Sequence, residues 1–295
     1  MTAITANGIR LEYEGFGDPA DPALVLVIGF GLQLTGWPVA FCEGLAAQGF
    51  HVIRFDNRDT GLSEKFADHM PNLAAAAAQQ AAGEPVDAPY SQTDMAADVA
   101  GLITALGLGK AHVVGMSMGG MITQRVMLEH PELVRSGVVM MSSTNDPSLP
   151  QMDPATRTVL FSAPDDPADP ESVVALGLKI FNALRGSGFE SDLDAYAEQI
   201  RSDFERSPDL LGYARNLVAG FAAAPLYNRV NGIAAPTLVL HGDEDPLFPV
   251  AVAEQMTAVI PGASLRIVEG WGHEIFAPSL APVLIEAIAG HCSAH

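Results

Sequence analysis

The sequence has few of the residues by which proteins bind nucleic acids or cross-link themselves. It contains two cysteines, Cys42 and Cys292, which lie 250 positions apart, so neither a disulfide framework nor a zinc site is expected. Basic residues are also scarce: 15 lysines and arginines, only three of them lysines, face 35 acidic residues, and the formal charge is −20. Such a surface repels phosphate backbones and anionic lipid, so we expect neither nucleic-acid nor membrane partners.

Long apolar runs are missing as well. The longest strand-like run, "ALVLVI" from Ala23 to Ile28, is far shorter than the ~20 residues that span a bilayer. The first residues, "MTAITANGIRLEYEG", lack the basic start and apolar run of a signal peptide. Because neither a membrane span nor a signal peptide is indicated, we predict a soluble cytoplasmic protein. With 48% of the residues hydrophobic, a sizeable core is also expected.

Short apolar runs alternate with amphipathic stretches, a pattern typical of strand–helix–strand units. "ALVLVI", "HVIRFD", "AHVVGM", "VRSGVVMMSS", "PTLVLHG" and "SLRIVEG" indicate strands, and helical spacing lies between most of them. The sequence therefore predicts an α/β fold, with a mostly parallel central sheet flanked by helices.

Two segments interrupt the alternation. Residues 67–92 include "LAAAAAQQAAGEP", which indicates either a surface helix or a mobile excursion. Residues 144–232 show helical patterns with no clear strand, so we predict a helical cap inserted into a core made of 1–143 and 233–295. Its apolar stretches "VVALGLKIF" and "LVAGFAAAPLY" could line a substrate site or form an ordinary buried helix face.

The stretch "VVGMSMGG" places Ser117 between Gly115 and Gly119, after a predicted strand and before a predicted helix. In that setting the serine is a candidate nucleophile on a sharp strand-to-helix turn, where glycines avoid crowding. Close packing of a helix on a strand, which also requires small residues, is the alternative.

A nucleophilic serine needs a histidine to take its proton. His273, in "EGWGHEIF", follows a predicted strand at the sheet edge where ligands of α/β proteins bind. The other seven histidines have structural explanations on strands, at a helix end, near the terminus or in an irregular connection: His51, His69, His112, His130, His241, His291 and His295.

A carboxylate should orient that histidine. "LVLHGDEDPLFP" supplies Asp243, Glu244 and Asp245 where another strand ends, and periodicity does not choose among them. The order along the chain is serine, acid, histidine, which is the order associated with the nucleophile elbow. Asp146, after "VVMMSS", is the alternative acid.

A tetrahedral oxyanion also requires backbone N–H donors. One is expected from Met118, directly after the nucleophile, and the other from Phe30 in "GFGLQLTGWP", the loop that leaves the strand "ALVLVI". A plain turn after a strand is the alternative for this loop.

The stretches "VLVIGFG", "HVIRFDNRDTGLSEK", "GMSMGG", "PTLVLHGDEDPLFP" and "VEGWGHEIF" together resemble the α/β-hydrolase superfamily over nearly the whole chain. The run "GWPVAFCEGLAAQGFHVIRFDNRDTGLS" is similar to the branch of bacterial ester hydrolases that includes aclacinomycin methylesterase. The resemblance implies Ser117 as nucleophile, His273 as base, Asp245 as acid, and Phe30 and Met118 as oxyanion donors.

Two positions depart from the pattern of many members. Ile28 precedes Gly29 where a histidine is common, so a polar contact near the oxyanion loop is missing. Arg58 is followed by Asp59 rather than glycine, which the methylesterase-like branch shares.

The implied activity is a serine carboxylesterase that acts on small-molecule esters with apolar groups and needs no cofactor or metal. Hydrolysis of a lactone, an amide or a carbon–carbon bond, or cofactor-free perhydrolysis, is the alternative on the same fold. A non-catalytic binding protein on this scaffold is a third possibility, which the presence of all three triad residues disfavours.

Overall fold

The computed structural model describes residues 1–150 and 152–295, so residue 151 of the predicted cap lies outside the described residues. The described residues form an eight-stranded sheet. Its strands are β1 (Thr2–Ala6), β2 (Ile9–Phe16), β3 (Ala23–Val27), β4 (His51–Phe55), β5 (Ala111–Met116), β6 (Val134–Met140), β7 (Thr237–Gly242) and β8 (Ser264–Val268).

The strand order is β1-β2-β4-β3-β5-β6-β7-β8. From β4 to β8 in this order every neighbouring pair is parallel, whereas β2 pairs antiparallel with both β1 and β4. The predicted mostly parallel sheet is therefore confirmed. Because β3, β5, β7 and β8 run in one direction, the loops that follow them meet at one edge of the sheet.

The antiparallel hairpin β1–β2 was not predicted, although its turn leaves a clear local signal. Asn7 and Gly8 join the two strands, and both have positive φ, 50° and 77°. An Asn-Gly pair with positive φ at both positions is the preferred two-residue hairpin connection.

The helices found in the described residues are α1 (Val39–Ala46), α2 (Leu73–Ala82), α3 (Gln92–Ala105), α4 (Met118–Glu129), α5 (Pro154–Leu160), α6 (Pro170–Leu184), α7 (Leu193–Arg206), α8 (Leu210–Phe221), α9 (Val250–Val259) and α10 (Ala281–Ser293). None of these helices is long and apolar enough to cross a bilayer.

The helices cover both faces of the sheet, and the strand side chains divide between two cores accordingly. Along β3, Val25 and Val27 pack with α3, α4 and α9, whereas Leu24 and Leu26 pack with α1 and α10. A strand buried on both faces reads as a continuous apolar run, which explains "ALVLV".

Helix α3 begins directly after Ser91, which is its N-cap. Asp94, the third residue of the helix, accepts hydrogen bonds from the Ser91 N–H and hydroxyl at 2.8 and 2.9 Å. The carboxylate therefore stabilises the first turn from the third helical position, as in a capping box. Gly107, with φ 66°, follows the end of the helix in the left-handed conformation that glycine often adopts there.

Between β6 and β7 the described residues form α5 to α8 and no strand. Within 67–92, α2 begins after Asn72, whose side chain caps it, and ends at Gly83 in the left-handed conformation. The alanine-rich segment is therefore a helix, and it packs beside α8 of the predicted cap, a label kept below for residues 144–232.

Candidate active site

Ser117 lies on the sharp turn between β5 and α4. Its backbone has φ 54° and ψ −121°, a conformation that L-residues rarely adopt. The Ser117 N–H donates to the Met140 carbonyl at 2.9 Å, and the Ser142 hydroxyl donates to the Ser117 carbonyl at 2.6 Å. These two bonds to β6 and the residues after it hold the strained turn in place.

The glycines around the serine are required by space. A Cβ on Gly119 would collide with the carbonyl oxygens of Val27 and Ile28, and a Cβ on Gly115 would collide with the Gly119 backbone. The start of α4 therefore packs directly against the end of β3. This close approach brings the Ser117 turn next to the loop that follows β3.

The three acids after β7 have different partners. Asp243 accepts a hydrogen bond from the Gly270 N–H at 2.7 Å, and Glu244 accepts two from Ser187 at 2.6 and 2.7 Å. Asp245 is the acid that contacts His273, with 2.8 Å between Oδ2 and Nδ1. The alternative, Asp146, instead bonds Ser148 and Gln255, so its carboxylate is engaged elsewhere.

The Asp245 side chain has no exposed surface, and its second oxygen accepts the N–H groups of Leu247 and Phe248 at 2.8 and 3.0 Å. An ionised carboxylate only accepts hydrogen bonds, so the proton of His273 lies on Nδ1. Nε2 is then left as the basic nitrogen. This is the tautomer that a general base for a serine requires.

His273 follows β8 and Ser117 follows β5, so both lie at the same sheet edge. Among the described residues no hydrogen bond joins the Ser117 hydroxyl to His273. In proteins without substrate such bonds are often long and tighten only in the complex.

The predicted oxyanion donors, Met118 and Phe30, follow β5 and β3, two neighbouring parallel strands of the sheet. Met118 is the first residue of α4, so its N–H has no acceptor within the helix. The Phe30 N–H donates to no acceptor among the described residues, and a Cβ on the neighbouring Gly29 would lie 3.4 Å from the Ser117 Cβ. We call residues 29–35 the oxyanion loop.

The cap contacts this loop through aromatic residues that sequence reasoning missed. The ring of Tyr213, on α8, lies 4.2 Å from the Phe30 ring between centroids, and the ring of Phe161, after α5, lies 6.5 Å from it. Neither residue belongs to the two apolar stretches singled out from the sequence. Within those stretches Phe181 and Val218 are buried, as in an ordinary helix face.

The cap also contacts the loop that carries His273. The His273 N–H donates to the carbonyl of Leu184, the last residue of α6, at 2.7 Å, and the Gly188 N–H donates to the Gly270 carbonyl at 2.9 Å. The two loops approach so closely that a Cβ on Gly188 would lie 2.8 Å from the Gly270 Cα. The segment after α6 therefore helps to position the histidine loop.

Two other histidines near the sheet are structural, as the sequence indicates. His241 is fully buried and its Nε2 donates to the Phe248 carbonyl at 2.7 Å; burial lowers its pKa. His112 bonds Ser136 at 2.8 Å, and burial lowers its pKa to about 4. No group of three or more potential metal ligands occurs among the described residues.

A family model described as alpha/beta hydrolase fold matches residues 22–279. Rhodomycin D methylesterase DnrP of Streptomyces peucetius is 28% identical to this chain, over 99% of this chain and 97% of that relative. The 2-hydroxy-6-oxononadienedioate/2-hydroxy-6-oxononatrienedioate hydrolase of Burkholderia vietnamiensis is 28% identical over 90% of this chain and 85% of its own length. The solved enol-lactonase of Burkholderia xenovorans LB400 has a TM-score of 0.71 at 22% identity, covering 99% of this chain and 100% of that structure.

Proposed function

The chain belongs to the α/β-hydrolase fold family, and we propose that it is a serine hydrolase that cleaves carboxylic esters through an acyl-enzyme. Ser117 is the proposed nucleophile, His273 the general base and Asp245 the acid that orients it. The observation that carries the proposal is the 2.8 Å contact between His273 and Asp245, at the sheet edge where Ser117 lies on a strained turn.

In the first half of the reaction the Ser117 oxygen attacks the ester carbonyl carbon while its proton passes to Nε2 of His273. The tetrahedral intermediate then collapses, and the imidazolium returns the proton to the departing alcohol. The acyl group stays on Ser117. In the second half His273 takes a proton from water, whose oxygen attacks the acyl carbon, and the carboxylic acid leaves as Ser117 regains its proton.

Asp245 keeps its negative charge throughout and stabilises the imidazolium that forms beside it. The N–H groups of Phe30 and Met118 are proposed to donate to the oxyanion. Donors of this kind act where charge develops, and losing one typically lowers turnover ~10²–10³-fold.

The choice of an ester as substrate is supported by the methylesterase relative, whose similarity extends over 99% of this chain. The cap, residues 144–232, is proposed to select the substrate, because Phe161 and Tyr213 present apolar surface beside Phe30. We therefore propose small-molecule esters with apolar groups, and methyl esters among them.

A serine-directed fluorophosphonate tests the nucleophile. It should label the wild-type protein at Ser117, and the Ser117→Ala variant should neither be labelled nor hydrolyse aryl esters. Hydrolysis that persists in this variant would overturn the proposal. A panel of methyl esters, longer alkyl esters and lactones then measures kcat/KM for each class, and a preference for lactones would replace the ester assignment.

A further inference from the structure

The second half of the oxyanion loop is held by groups that lie outside it. The Leu34 N–H donates to Oδ1 of Asp56, which follows β4, at 2.7 Å. The residues on either side, Gln33 and Thr35, bond to the cap. Three consecutive residues of the loop are thus hydrogen-bonded to one region, formed by Asp56 and the end of α7.

Asp56 is the centre of this region. Its carboxylate has no exposed surface, and Oδ2 accepts the Leu62 N–H at 2.8 Å and a guanidinium nitrogen of Arg206 at 2.7 Å. A buried carboxylate needs a partner of opposite charge, because removing that partner leaves an uncompensated charge in the interior. Arg206 supplies this charge from the end of α7, in the cap.

The guanidinium of Arg206 bonds the oxyanion loop directly as well. Its other terminal nitrogen donates to the side-chain oxygen of Gln33 at 2.6 Å. One turn earlier on α7, the Asp203 carbonyl accepts from the Gln33 amide and the Asp203 carboxylate accepts from the Thr35 hydroxyl, both at 2.6 Å. The end of α7 therefore contacts both the loop and the carboxylate that holds it.

This arrangement supplies polar contacts to a loop whose first part has few. Ile28 occupies the position before Gly29, and its fully buried apolar side chain donates no hydrogen bond to the loop. On that side the described polar contact is the Asn57 side-chain amide, which donates to the Ile28 carbonyl at 3.2 Å.

We propose that Arg206 is a positioning residue that sets the oxyanion loop, acting through Asp56 and Gln33 to hold the Phe30 N–H where the oxyanion forms. The cap then helps to complete the oxyanion hole in addition to selecting the substrate. This inference rests on the proposed serine-hydrolase function.

The test replaces Arg206 by glutamine and by lysine and compares turnover with oxyanion binding. An aryl trifluoromethyl ketone reports on the hole, because Ser117 adds to it and forms a stable oxyanion. The expected result for Arg206→Gln is a fall in kcat of about 10–10²-fold, with a matching loss of affinity for the ketone and a KM changed less than about threefold. Arg206→Lys should recover little of either kcat or ketone affinity, because one ammonium does not reproduce the forked contact with Asp56 and Gln33.

Two controls separate this role from general support of the cap. Arg201→Gln changes the same residue type on the same helix, where the side chain pairs with the exposed Glu171, and should leave both readouts unchanged. Arg215→Gln removes another buried pair between cap and core, with Asp59, but no contact with the oxyanion loop. It should alter KM or the melting temperature without a selective loss of ketone affinity.

A third variant guards against misfolding of Arg206→Gln. Gln33→Met removes both side-chain hydrogen bonds of Gln33 and leaves the Asp56–Arg206 pair in place, and it should reproduce the coupled loss of kcat and ketone affinity in a folded protein. Unchanged ketone affinity in this variant, or equal losses in Arg206→Gln and Arg215→Gln, overturns the positioning role. Failure of the wild-type protein to react with a fluorophosphonate overturns the proposed function instead.

Discussion

Replacing Ser117 by glycine should abolish hydrolysis and make the protein more stable than replacing it by alanine. Both variants lose the hydroxyl, so both remove the nucleophile. They differ in the Cβ, which makes the observed φ of 54° and ψ of −121° unfavourable. A residue held in a sparsely populated conformation of this kind costs about 1–3 kcal/mol, and glycine adopts positive φ without that cost.

The expected difference follows from two opposing contributions. Glycine relieves the backbone strain of about 1–3 kcal/mol, but its unfolded chain has more freedom, which costs about 0.4–1 kcal/mol relative to alanine. Ser117→Gly should therefore unfold with roughly 0.5–2 kcal/mol more free energy than Ser117→Ala. With an unfolding entropy of about 2.1 cal/mol/K per residue, this corresponds to a melting temperature higher by about 1–3 °C.

Chemical denaturation of the two variants, monitored by circular dichroism, measures this difference. The control pair is Ser202→Ala and Ser202→Gly, at an exposed position within α7, where glycine should be the less stable by about 0.5–1 kcal/mol. If the glycine variant is also the less stable at Ser117, the turn stores no strain and the reasoning is wrong.

Three further outcomes are expected. Asp245→Asn should lower kcat for an aryl ester by about 10⁴-fold, because the amide no longer fixes the histidine tautomer. The control variant Asp243→Asn should change kcat less than about threefold. Equal effects of the two substitutions would place the acid elsewhere. Gly188→Ala should lower kcat by displacing the histidine loop. The control variant is Gly290→Ala on α10, whose added Cβ meets no heavy atom within 4 Å, and it should raise the melting temperature without changing kcat. The reverse pattern would exclude a positioning role for the segment after α6. Because burial lowers the pKa of His112 to about 4, the unfolded chain binds the extra proton as the pH falls below about 6.5. The free energy of unfolding should then decrease from pH 7 to 4.5. Measured by urea denaturation, this decrease should be about 2–3 kcal/mol smaller in His112→Gln than in the wild-type protein, and an equal decrease in both proteins would contradict this.

The sheet and the candidate residues at its edge were predictable because their signals are local. A buried parallel strand is a continuous apolar run, and the residue that follows it lies at the carboxyl edge of the sheet wherever the rest of the chain goes. Ser117, His273 and the acids after β7 were therefore identified by position in the sequence alone. The Asn7-Gly8 turn carries a signal of the same kind, because an Asn-Gly pair is the preferred two-residue hairpin connection.

The choice among Asp243, Glu244 and Asp245 was not local. Three adjacent acids on one loop have three different partners, and only the packing of that loop against the histidine loop and the cap assigns each partner. Resemblance to other hydrolases distinguishes Asp245 among them, whereas periodicity does not.

The sequence by itself determined the fold class, the strained serine turn and the order of the candidate triad, because periodicity and turn chemistry depend on neighbouring residues. Only the tertiary structure decided which side chains support that site. Arg206 meets Asp56 across 150 positions of sequence, and Tyr213 meets Phe30 across an even larger separation. Such contacts follow from how the cap packs on the core, and no local pattern along the chain encodes them.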